Sequence, residues 1–150
     1  MDGSVLFPTP SETEAFVNAL GRTAAQFAVE IHAYCAMGNH YHLLVRADEE
    51  ELRRAVVELD AVVPGDTGRP RLRRLAVGRH LLQVTRYIHR NPVEAQLVLR
   101  PEDWPWSSYR GYLDRLEAPS WLRTDAVLGW LGSIGARQHY RKYVENGDHF

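Results

Sequence analysis

The sequence predicts an α+β domain: two segments carry helix-capping signals ahead of apolar stripes, a stretch of alternating residues broken by Gly-Asn lies between them, and another extended run follows. Helix, hairpin, helix, strand is the order in which helices cover one face of an antiparallel sheet. With 150 residues, 45% of them hydrophobic, the chain can bury one substantial core without disulfide staples.

Ser11 and Glu14 have capping-box spacing, and Ala15, Phe16, Ala19, Leu20, Ala24 and Phe27 follow at helical intervals. This predicts a helix over about 11–27. Residues 29–36 alternate, with Val29, Ile31, Ala33 and Cys35 sharing a face. Gly38-Asn39 is a turn signal, and the run from Tyr41 returns as a second strand. Asp48 and Glu51 then open a helix whose apolar side is Leu52, Ala55, Val56 and Leu59. A loop is expected over 63–70 and a strand over 71–77. A helix follows from about Arg79 to Arg90, striped by Leu81, Leu82, Thr85 and Ile88. Pro92 disfavours α geometry at Asn91, so this helix is expected to stop there, with Asn91 as a C-cap. Helices are expected again around 107–116, 125–131 and 136–145. The whole chain reads as one domain, with a core over about 1–100 and a helical extension over about 101–150.

A single cysteine, Cys35, rules out an intrachain disulfide and suits a reducing compartment. The N-terminus shows no leader pattern, and no apolar run reaches membrane-spanning length. The expectation is a cytoplasmic protein with no membrane role. Net charge is −1, so bulk polycation binding is not expected, but the charge is unevenly placed. Residues 1–67 carry eleven acids against four arginines. Residues 68–93 carry seven arginines (Arg69, Arg71, Arg73, Arg74, Arg79, Arg86 and Arg90) and no acid. A polyanion site would concentrate charge in this way, although the chain is generally arginine-rich and has one lysine, Lys142.

His40 and His42 are separated by one residue, so in a strand both leave the same face, about 6.5–7 Å apart along it. Tyr41, Leu43 and Val45 then point the other way, toward the helices. Two imidazoles on one face beside a turn suit metal ligation, with satisfied polar residues as the alternative. Tyr87 and Asn91 stand at i, i+4 on one side of a helix. Taken alone, Tyr87 also suits a packed aromatic. His32 and His89 read as ordinary surface or packing residues, and His80 as a minor phosphate contact.

MGNHYHLLV followed by RYIHRNPVEAQLV and then DWPWSSYRGYL resembles the IS200-like, REP-associated tyrosine transposases, a branch of the HUH single-strand endonucleases. The resemblance runs from about residue 5 to the end, with three motifs in the family's order and spacing. It implies a ferredoxin-like antiparallel sheet, with His40, His42 and Asn91 as ligands of Mg²⁺ or Mn²⁺ and Tyr87 as the nucleophile. The reaction it implies is cleavage and rejoining of single-stranded or hairpin DNA through a 5′-phosphotyrosine. Arg86, Arg90 and the arginines before the helix would compensate phosphate charge, and Tyr109 and Trp106 would stack unpaired bases or pack in the core. The chain departs from the family in four ways, one being that the region 60–78 matches poorly. It lacks the family's N-terminal strand with a Tyr-His-Val-like run, for which residues 2–8 are a candidate substitute. Gly38 replaces the usual proline, and Gln96 stands where glycine is common.

Two other readings fit part of this pattern. A truncated or domesticated DNA-binding protein would keep the fold without cleavage. A zinc hydrolase would also use His-x-His, but the chain is short for one and offers no evident carboxylate partner. Monomer and homodimer are both open.

Overall fold

The computed structural model describes residues 5–65 and 79–147. Helix α1 spans Pro10–Gln26. Its cap lies two residues earlier than expected. The Glu12 N–H donates to Thr9 Oγ1 at 3.4 Å, and the Thr9 N–H donates to Glu12 Oε1 at 3.1 Å. Pro10 at the first helical position has the φ a helix needs and no N–H to orphan, so Thr9 becomes the cap and Ser11 falls inside. Strand β1 (Glu30–Ala36) and strand β2 (Tyr41–Arg46) form the expected antiparallel hairpin. Helix α2 (Glu49–Ala61) starts as the spacing predicts, with the Glu51 N–H donating to Asp48 Oδ1 at 2.9 Å.

Among the described residues the sheet has these two strands, and its register is irregular between Ile31 and Ala33. A bulge there reverses the side-chain alternation, so the expected stripe of Ile31, Ala33 and Cys35 is split. Ile31 joins Phe16, Leu20, Leu59 and Tyr34 in the larger core, beneath α1 and α2. Ala33 and Cys35 join Met37, Leu44 and Ile88 in a second cluster. Tyr41 faces the first layer as expected, with its ring 4.7 Å from Phe16 and its hydroxyl donating to Asp60 of α2.

The second cluster corrects another expectation. Helices were expected on one face of the sheet only, but the other face is covered by helix α3 (Arg79–Glu94), which supplies Ile88 with Leu81 and Val84 beside it. This helix also runs through Pro92 instead of ending at Asn91. Proline here forfeits one hydrogen bond near the end of the helix, and its fully buried ring offsets that loss. Termination comes at Gln96, in the left-handed region at φ 63°. The Leu97 N–H donates to Pro92 O and the Gln96 N–H to Val93 O, both at 2.9 Å, the two bonds of a Schellman closure. That explains why glycine suits position 96.

The C-terminal part is joined to the sheet. The Ala36 N–H donates to Trp106 O, the Ser108 N–H to Tyr34 O and the Arg123 N–H to Ile31 O, so residues 106–108 and 122–123 occupy an edge of β1. Short helices α4 (Tyr109–Leu113) and α5 (Asp125–Leu128), with 3-10 turns after each, lead to α6 (Ala136–Asn146). Residues 5–8 form no strand; the Leu6 and Phe7 N–H groups both donate to Gly38 O. The expected strand over 71–77 and most of the loop over 63–70 lie outside the described residues. No described helix is long and apolar enough to cross a membrane.

Candidate metal and nucleophile site

The hairpin and α3 bring together the four residues singled out in the sequence. His40 closes the turn before β2, and its carbonyl accepts the Met37 N–H at 2.8 Å. His42 lies in β2 opposite Cys35, on the sheet face that α3 covers. The two rings are 4.8 Å apart between centroids, closer than strand spacing alone gives, because His40 belongs to the turn. Asn91, kept helical by the continuation of α3, places its amide between them. Its Oδ1 lies 3.4 Å from His40 Nε2, and its Nδ2 donates to His42 Nε2 at 3.4 Å. One turn earlier, Tyr87 stands edge-on to His42 at 5.5 Å between ring centroids, with 59% of its surface exposed.

The electrostatics suit cation binding. Burial, then the neighbouring His40, lowers the His42 pKa to about 4, so its imidazole is neutral near pH 7 and its Nε2 lone pair accepts the Asn91 amide, which a cation would have to displace. His40 Nδ1–H donates to Asn39 Oδ1 at 2.7 Å, a bond that fixes the tautomer and leaves Nε2 as an acceptor. His40 Nε2 and Asn91 Oδ1 are then two acceptors facing each other, an arrangement a cation between them would satisfy. Ligand atoms held about 2.1 Å from one ion lie roughly 3 Å apart when cis, close to the spacing here. His40 Nε2 and Asn91 Oδ1 are therefore spaced for a small divalent ion, and His42 Nε2 lies beside them against the amide nitrogen. Among the described residues no group of three His, Cys, Asp or Glu side chains could hold a metal; the donors gathered here are two imidazoles and one amide oxygen. Such a donor set carries no charge, which leaves the charge of an ion free to act on an anionic ligand.

Two arginines of the acid-free stretch donate to backbone carbonyls of the last helix. Arg86 Nε donates to Tyr143 O at 2.9 Å and Arg90 Nη1 to Val144 O at 3.1 Å. Both guanidinium groups thus cap the carbonyl end of α6, and Arg90 also pairs with Glu94 at 3.0 Å. Arg69, Arg71, Arg73 and Arg74 lie outside the described residues. Arg79 opens α3, and its side chain lies outside the description too.

His89 has a larger role than the sequence reading gave it. It is fully buried, with Nδ1 2.6 Å from the Tyr140 hydroxyl and Nε2 2.7 Å from Ser108 Oγ. Ser108 Oγ in turn accepts the Tyr34 N–H at 2.9 Å. One imidazole thus ties α3 to both α6 and β1, two residues from Tyr87. The signal was available: Leu82, Thr85, His89 and Pro92 recur at helical spacing and are all buried. His32 is a packing residue, buried with Nδ1 bonded to Arg123 O, and His80 is exposed. Tyr109 is fully buried and cannot stack a base, whereas Trp106 is half-buried. Comparison with protein-family models, curated proteins and solved structures finds no match to this chain.

Proposed function

We propose that this chain is a metal-dependent tyrosine endonuclease of the transposase type, cleaving and rejoining single-stranded DNA at hairpin-forming repeats. The observation that carries the reading is one juxtaposition: two imidazoles and an amide converge at 3.4 Å beside an exposed phenol. His40, His42 and Asn91 would hold Mg²⁺ or Mn²⁺. Bound there, the ion would neutralise charge on non-bridging phosphate oxygens and orient the phosphodiester for in-line attack.

Tyr87 supplies the nucleophile. Its oxygen attacks phosphorus, the bond to the 3′ oxygen breaks, and the chain becomes joined to the 5′ phosphate. The phenol proton is lost to solvent, and the departing 3′ oxygen takes a proton to become a free hydroxyl. Attack by a 3′ hydroxyl on the phosphotyrosine reverses the step, and the phosphodiester is conserved without an external energy source. Rigid support for Tyr87 comes from α3, held on one side by Ile88 in the core and on the other by His89.

The test is an oligonucleotide carrying a repeat hairpin, incubated with Mg²⁺ or Mn²⁺ and resolved under denaturing conditions. A covalent protein–DNA species, absent with chelator and absent in Tyr87→Phe, is expected. DNA binding with no covalent species under either metal would overturn the enzymatic reading in favour of a noncatalytic DNA-binding protein.

A further inference from the structure

A cleft of about 140 Å³ opens beside the hairpin turn, walled by Pro8, Pro10, Met37, Gly38, Trp104 and Trp106. Among the described residues no charged side chain lines it. The two indoles stand nearly perpendicular, 81° apart with centroids at 5.2 Å, so a flat guest stacked on one meets the edge of the other. Trp104 spends its only donor inward, on Ala36 O at 3.0 Å, which leaves aromatic surface as what it can offer a ligand. The cleft and the candidate metal site share one turn: Met37 and Gly38 form its wall, and His40, whose carbonyl accepts the Met37 N–H, faces the Asn91 amide.

We infer that this cleft binds one unpaired nucleobase of the DNA strand whose phosphate lies at His40 and Tyr87. The inference rests on the function proposed above. A nucleobase matches the cleft in being flat, uncharged and aromatic, and a stacking platform accepts any base by its π face. The absence of charged groups in the walls keeps the phosphate outside, on the side of the imidazoles. Held in this way, the base fixes the register of the strand relative to the nucleophile, a positioning role separate from the chemistry.

The test compares the full chain binding a short oligothymidylate with its binding of an abasic strand of equal length, by fluorescence anisotropy. The wild type should prefer the strand with bases by at least about fivefold, the lower end for loss of one stacked base. Trp106→Ala should abolish the preference, while Trp106→Phe, which retains a flat ring, should keep most of it. Gly38→Leu should abolish it too. Gly38 lines the cleft and a Cβ there meets nothing within 4 Å, so this variant adds bulk beside the cleft without a Cβ clash and serves as the second test if Trp106→Ala unfolds. A preference unchanged in Gly38→Leu and in any folded Trp106→Ala would overturn the inference. So would binding of a proline-rich peptide, lost in those variants, while the base preference stays intact. A wild type that forms the Tyr87 adduct but binds both strands equally would sink the nucleobase site alone. A wild type that binds neither strand and forms no adduct would sink the proposed function with it.

Discussion

Acidification should reveal the work of His89. Burial lowers its pKa to about 3, against an ordinary value of 6.5. The unfolded chain therefore binds a proton there between pH 6.5 and 3 that the folded chain does not. Stability contributed by the neutral ring is complete above pH 6.5 and falls as pH drops, by about 1.4 kcal/mol per pH unit. From pH 7 to pH 5 this one group should cost about 2 kcal/mol. In His89→Gln one of the two short bonds, to Tyr140 or to Ser108, is lost. An unsatisfied buried hydroxyl costs roughly 1–3 kcal/mol, so the variant should be less stable by that amount at pH 7. At pH 5 the gap should narrow by about 2 kcal/mol, because the variant has no ring to protonate. Urea unfolding of both proteins, followed by circular dichroism with chelator at the two pH values, measures this difference. Contributions from His42 and the carboxylates are common to both and cancel. A gap of equal size at both pH values would refute the claim that His89 is buried neutral.

The remaining predictions concern the helix ends and the metal site. Gln96→Gly should raise stability by roughly 1 kcal/mol in thermal or urea unfolding, since glycine occupies the left-handed region without a Cβ clash. Arg90→Ala should lower stability by about 1 kcal/mol, through loss of the cap on Val144 O, and leave the salt dependence of DNA binding unchanged. A salt slope reduced by about one, with stability intact, would return Arg90 to the DNA surface. His40→Ala should keep its unfolding free energy within about 1 kcal/mol of the wild type while requiring much more Mn²⁺ for adduct formation. Collapse of the fold instead would make His40 a packing residue.

Elements announced by local chemistry were legible in the sequence. The Asp48–Glu51 cap, the Gly38-Asn39 turn and the alternation through His42 and Val45 each depend on neighbouring residues, and each was read correctly. The pairing of Tyr87 with Asn91 followed from helical spacing, and the meeting of that pair with His40 and His42 followed from motif resemblance. What was misread depends on distant partners. Pro92 argues locally for a helix end, but burial of its ring and the closure at Gln96 carry α3 one turn further, and that turn is what aims Asn91. The register irregularity at Ile31 and Ala33 leaves no mark in an alternating string, so one apolar stripe was assigned where two faces are served. The carbonyl contacts that Arg86 and Arg90 make with α6, more than fifty residues on, likewise have no local signal.

The most direct test of the central claim is mass spectrometry of the peptide recovered from the protein–DNA adduct. The account predicts a nucleotide 5′ phosphate on the Tyr87 oxygen, formed with Mg²⁺ or Mn²⁺ and lost when Asn91 is replaced by Ala. A nucleotide on any other residue, or an adduct that forms equally well in chelator, would contradict it.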